Sequence, residues 1–189
     1  MAVITISRQS GSGGEEVARQ VAGWLGYRLV ERELINQAAV RAGAPEVALA
    51  MIDELNLFGL SLTGEECQAY LAAVKTVMLE LAAAGNVVIL GRAGQVILAG
   101  DPQTLHVLIL APVELRTGRV AAQRAISGRA ALAQIKAADR HRRIYLKRFY
   151  DIQWDNPEQY DLVINTARIT SEAAAELICR TVEQCFPNR

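Results

Sequence analysis

Apolar positions in this chain follow two rhythms. Residues 3–6, 27–30, Val87–Leu90, 105–110 and 161–165 form short runs rich in β-branched side chains, the pattern of strands covered on both faces. Between them, apolar residues recur three and four apart. Val17, Ala18, Val21, Ala22 and Leu25 mark a helix over 15–25, Leu34, Ile35, Ala38 and Ala39 one over 31–42, and Leu71, Val74, Val77, Met78 and Leu81 one over 65–84. Gly26 closes the first of these and Gly85-Asn86 the last. Pro45 opens a further short helix through Leu55, and 57–64, apolar but broken by Gly59 and Gly64, is predicted as a loop. A short helix over 95–99, a helix over 113–126, a break at Ser127-Gly128, a helix over 131–150 and a last one from Ser171, its expected cap, to Cys185 complete the series. Strands alternating with helices predict an α/β fold: a central parallel sheet of about five strands, helices on both faces, one domain over 1–189, ligands at the carboxyl ends of the strands.

With 189 residues, 51% of them hydrophobic, the chain can bury a sizeable core, and its zero formal net charge supplies no global field toward nucleic acid or anionic lipid. Met1 leads straight into a strand pattern and no apolar run approaches the roughly 20 residues of a membrane span, so a cytoplasmic protein with no membrane or nucleic-acid partner is expected. Cys67, Cys179 and Cys185 make no C-x-x-C pair, and His106 and His141 have no metal-ligand spacing. His106 sits within a strand run and reads as a core or edge histidine. The charge balance hides a local excess. From Leu115 to Tyr150 the bases are Arg116, Arg119, Arg124, Arg129, Lys136, Arg140, Arg142, Arg143, Lys147 and Arg148, against one acid, Asp139. Arginine predominates, the better residue for holding phosphate oxygens bidentately.

The first strand run leads through Arg8-Gln9-Ser10-Gly11-Ser12-Gly13-Gly14 into the first helix. Glycines let backbone N–H groups approach an anion, and the helix N-terminus adds partial positive charge. The alternative is a plain glycine-rich turn. The pattern G-x-x-x-x-G-K-[ST] is unmet: with Gly13 as its second glycine, Arg8 stands at the first, Gly14 at the lysine and Glu15 at the hydroxyl residue. Arg92 follows the third strand and the arginine-bearing helix the fourth, so glycines and guanidinium groups converge at one sheet edge.

Four stretches carry a resemblance: Ile4 to Gly14, Val88-Ile89-Leu90-Gly91-Arg92-Ala93, Asp139-Arg140-His141-Arg142 with Tyr145, Phe149, Tyr150 and Trp154, and Tyr160 to Thr166. The sequence resembles the cytidylate kinase-like family, a branch of the P-loop nucleoside-monophosphate kinases in which a lysine-lacking loop is typical. The resemblance implies a P-loop NTPase-type three-layer sandwich with a helical lid around 113–150. It implies ATP with Mg2+ and transfer of the terminal phosphate to a small acceptor, first of all CMP or dCMP. Bacterial cytidylate kinases proper carry lysine and a hydroxyl residue where this chain has Gly14 and Glu15, and aspartate where it has Ala93. A nucleotide-binding sensor without transfer, and a kinase for a non-nucleotide acceptor, therefore stand beside the nucleotide kinase. Homo-oligomerisation is left open.

In the kinase reading, Gly11, Ser12, Gly13 and Gly14 cradle donor phosphates through their N–H groups, with the Ser10 and Ser12 hydroxyls adding bonds. Arg92 clamps the acceptor phosphate. Arg116, Arg119, Arg124, Arg140 and Arg142 form the lid, and Arg8 or a lid arginine replaces the lysine. Glu15 is the candidate metal ligand, although Glu15 and Glu16 suit a helix start on dipole grounds alone. Arg116 and Arg119 also fit a solvated helix face, Asp139 with Arg142 or Arg143 a surface ion pair, and Tyr145 with Phe149 core packing rather than base stacking.

Overall fold

The structure, a computed structural model, describes residues 2–31, 37, 38, 40, 41, 43 and 64–187. Most of the helix expected over 31–42, the helix opened by Pro45 and the predicted loop up to residue 63 lie outside the described residues. Strand β1 (Val3–Arg8) leads into helix α1 (Gly14–Leu25) and β2 (Arg28–Val30). Helix α2 (Gly64–Ala84), β3 (Val87–Leu90), the single turn α3 (Gly94–Ile97) and β4 (Thr104–Leu110) follow. The chain continues through α4 (Val113–Arg124), α5 (Gly128–Tyr150), a 3-10 turn (Pro157–Gln159), β5 (Leu162–Asn165) and α6 (Ser171–Cys185).

The five strands are all parallel in the order β2-β3-β1-β4-β5. Side chains alternate across the sheet. Ile4, Ile6, Val88, Leu90, Val107 and Ile109 face α1 and α6, whereas Val3, Val87 and Ile89 pack on Tyr70, Val74, Val77 and Met78 of α2. Both faces are therefore apolar, which is why the strands read as continuous runs rather than alternating ones. Ile6 pairs with Leu90 and Arg8 with Ile109, so β1, β3 and β4 end at one rim, where Arg8, Gly91 and Ala111 lie together. That rim positions the site.

The cap of α6 differs from expectation. Thr170 is extended and its Oγ1 accepts from the Ala173 N–H, so Ser171 is already the first helical residue. A Ser-Thr pair at a helix start leaves either hydroxyl able to cap, and the backbone turn decides between them.

His106 is buried in β4, its Nδ1 2.7 Å from Thr5 Oγ1 and its N–H donating to Asp161 Oδ2 at 2.7 Å. Burial lowers its pKa, with the Asp161 charge pulling the other way. The unfolded chain titrates near 6.5 and the folded one lower, so the unfolded state binds more protons in that window. Stability is expected to fall as pH drops through about 6.5, and urea midpoints at pH 7.5 and 5.5 should diverge less for His106→Asn than for the unchanged chain.

Candidate active site

The loop between β1 and α1 is held from below. Gly11 and Gly13 take φ of +77° and +86°, and Ser12 N–H donates to Gln9 O at 3.1 Å, closing a turn. Among the described residues no side chain caps α1, and the helical bonding at its start begins with Val17 N–H donating to Gly13 O. The N–H groups of Gly14, Glu15 and Glu16 thus point out of the helix end without intrahelical acceptors, the arrangement that binds anions. A cavity of about 730 Å³, its open mouth included, lies over them, lined by Gly11, Gly13, Gly14, Glu15, Arg119 and Arg124 among others.

Arg116 and Arg119 hold the loop backbone through its carbonyls. Arg116, only 6% exposed, donates from Nε to Ala111 O and from Nη1 to Ser10 O and to Asp139 Oδ2, the last at 2.7 Å. Arg119 donates to Ser12 O, Thr166 Oγ1 and Thr166 O, and the Thr166 hydroxyl donates to Ser12 O at 2.7 Å. Neither guanidinium stands on a solvated face, because loop carbonyls that turn inward need buried donors. Arg119 also borders the cavity. Asp139 is likewise no surface pair: its Oδ1 accepts from Ser10 N–H at 3.2 Å and lies 3.5 Å from Arg142 Nη1. The Ser10 amide is thereby engaged inside the protein. Ser12 Oγ is fully buried, with no hydrogen-bond partner among the described residues, and Ser12 is not among the residues lining the cavity.

A second cavity, about 530 Å³ with its mouth, lies across the rim between the ends of β1 and β3 and helix α5. Ser7, Arg92, Ala93, Gln95, Arg142 and Tyr145 are among its walls. Gly91, Arg92 and Ala93 all have positive φ, of 79°, 59° and 59°. Two non-glycine residues held in the left-handed region cost about 1 kcal/mol or more each, strain of the kind found where a side chain is aimed. Tyr145 packs edge-on to Phe149 and Tyr150 at 5.2 and 5.9 Å between ring centres, and burial pushes its hydroxyl pKa well above 10. It is both packing residue and cavity wall. Arg142 lies over the Trp154 ring at 5.5 Å.

Arg8 is shared by both cavities. Its side chain is 14% exposed, its Nη2 lies 3.5 Å from Glu15 Oε1 and 4.0 Å from Glu31 Oε1, and its Nε is buried with no hydrogen-bond partner among the described residues. The surroundings are shaped around it. A Cβ at Gly14 would sit 2.5 Å from Arg8 Cβ, and one at Gly91 would sit 2.6 Å from Arg8 Nη1. Position 14 therefore cannot carry a lysine while position 8 carries this arginine. Gly91→Ala is expected to push the guanidinium aside and strain the turn, lowering turnover at least about tenfold while costing about 1–2 kcal/mol of stability; unchanged turnover would contradict this.

The remaining expected residues fall elsewhere. Arg124 borders the cavity over the glycine loop and bonds Gln134 at 2.8 Å. Arg140 is exposed on α5 and lines neither cavity. The Glu15 carboxylate, 59% exposed, stands at the loop mouth, and the described residues hold no cluster of three or more metal-ligating side chains. Thr166 and Gln95 had no assigned site role in the sequence. Thr166 was visible only as part of a motif and Gln95 only as the start of a short helix.

A parallel sheet ordered 2-3-1-4-5, with a glycine loop running from its central strand into a helix, is the fold of the P-loop kinases. The same fold occurs in an uncharacterized protein from Eubacterium ventriosum (TM-score 0.76, 23% identity, 97% of this chain and 99% of that one). It occurs again in the shikimate kinase from Acinetobacter baumannii (TM-score 0.52, 16% identity, 100% and 96%). The sequence profile of the cytidylate kinase-like family matches residues 3–168, and the cytidylate kinase of Ignicoccus hospitalis is 32% identical over 180 residues, covering 95% of this chain and 98% of that protein. The chain belongs to the cytidylate kinase-like family. Among the described residues, no helix is long and apolar enough to cross a membrane.

Proposed function

We propose that the protein transfers the terminal phosphate of ATP to a nucleoside monophosphate, CMP or dCMP. The observation that carries this reading is the position of Arg8, a residue that lines both the glycine-loop cavity and the cavity behind Arg92. Phosphoryl transfer asks for in-line placement and positive charge around the moving group, with little covalent chemistry from the protein. The N–H groups at the start of α1 bind the donor phosphates, Arg92 and Arg142 hold the acceptor phosphate, and Arg8 supplies at the junction the charge that a loop lysine gives elsewhere. Glu15, whose carboxylate stands at the loop mouth, is a residue that could help hold Mg2+. When bound, the ion neutralises phosphate charge, and few protein ligands suit it because the phosphates and water complete its shell. The segment 113–150 carries the struts of the loop on α4 and the acceptor wall on α5, so its movement would change both cavities together.

The test is ADP formation from ATP and Mg2+ with a panel of nucleoside monophosphates, run beside calorimetric binding. CMP or dCMP should be turned over fastest. ATP binding with no turnover on any acceptor would replace the transferase by a nucleotide sensor.

A further inference from the structure

Besides Arg8 Nε, the lining of the acceptor cavity holds an uncharged buried polar group that the packing of the described residues does not satisfy. Gln95 is 3% exposed and lines the floor of that cavity from the first turn after the strained Gly91-Arg92-Ala93 segment. Its Oε1 accepts from Ser7 Oγ at 3.1 Å, which directs the amide, and its Nε2 has no partner among the described residues. A buried amide donor without an acceptor is destabilising, and such groups are retained where a ligand completes them. Among the described residues, the charged groups lining this cavity are the cations Arg8, Arg92 and Arg142, a lining that suits an anion. The phosphate is matched by those cations, and Gln95 is left to meet the uncharged end of the molecule.

On the reading of the acceptor as a nucleoside monophosphate, we propose that Gln95 is the specificity-determining residue of this cavity, its Nε2 donating to the N3 lone pair of a cytosine. The Gln95 carbonyl, already bonded to Ser7, is not the group presented. Uracil carries a hydrogen on N3, which would face the Gln95 donor as a second donor. Discrimination follows from that mismatch, since a buried donor facing a donor loses its bond and gains none.

The test compares the full-length protein with Gln95→Met, close in size but without the amide, and Gln95→Glu, which keeps the acceptor for Ser7 and loses the donor. Both should raise KM and calorimetric Kd for CMP about 10- to 100-fold, hold KM for ATP within about twofold, and bring the CMP-to-UMP preference toward unity. A purely structural residue would instead disturb both substrates together. Unchanged CMP affinity and unchanged preference in either folded variant would overturn the assignment while leaving the kinase reading intact. A wild-type protein that neither binds nor phosphorylates CMP would overturn the acceptor reading itself, and the role of Gln95 with it.

Discussion

Arg8→Ala is expected to lower kcat at least about 1000-fold, the range seen when an arginine that stabilises a moving phosphoryl group is removed. Stability should not suffer in proportion. The Arg8 Nε is buried without a partner, and its ion pairs to Glu15 and Glu31 are long and reach half-exposed carboxylates. Such pairs contribute at most about 1 kcal/mol, while an unsatisfied buried donor works against the fold by about 1–3 kcal/mol. The variant should therefore unfold at an equal or higher urea concentration while losing activity, the signature of a residue kept for chemistry at the expense of packing. Arg8→Lys should recover little, because an ammonium cannot reproduce the forked donor set across two cavities. Equal losses of activity and stability would make Arg8 a structural residue.

The second large effect falls on Asp139. Its carboxylate joins three parts of the protein: the Ser10 amide of the loop, Arg116 of α4 and Arg142 on its own helix. Asp139→Ala leaves Arg116, 6% exposed, with carbonyl partners only. Breaking one side of a buried pair costs about 3–5 kcal/mol, a large part of the roughly 5–15 kcal/mol that holds a domain folded. Urea unfolding should show that loss, and KM for ATP should rise as the loop loosens. The exposed Glu176–Arg180 pair on α6 is the control, with Glu176→Ala expected to change stability by less than about 0.5 kcal/mol. Comparable effects at the two sites would mean that Asp139 organises nothing.

The contrast between these two residues shows what the sequence carries and what it withholds. Val87–Leu90 is apolar on both faces because the sheet is covered on both, so the strand and the sheet class are legible together. Arg8 was legible as the residue standing at the first glycine of an otherwise recognisable loop pattern. The reason for Gly14 was not, since it lies in the 2.5 Å approach of a missing Cβ to Arg8, a fact of three dimensions. The loop contacts of Arg116 and Arg119 were not legible for a related reason. Helical spacing tells which face they share, but their partners are carbonyls of the loop more than 100 residues earlier, brought beneath them when β1 and β4 pair. Thr166 meets Ser12 across 154 residues, and Asp139 meets Ser10 across 129. No periodicity records such a contact. Gln95 is the extreme case: an uncharged residue in a one-turn helix, notable only because its buried amide nitrogen has no partner among the described residues.

The most direct measurement exchanges the charge between the two positions. Arg8→Gly with Gly14→Lys rewrites the loop as G-x-x-x-x-G-K, and the side-chain clash that excludes Gly14→Lys alone disappears with the Arg8 side chain. Phosphate transfer from ATP should be lost in each single variant and recovered, at least about tenfold over either, in the double one. If Arg8→Gly by itself turns over nucleotide as fast as the unchanged protein, the arginine does not replace the lysine, and the proposed site is contradicted at its centre.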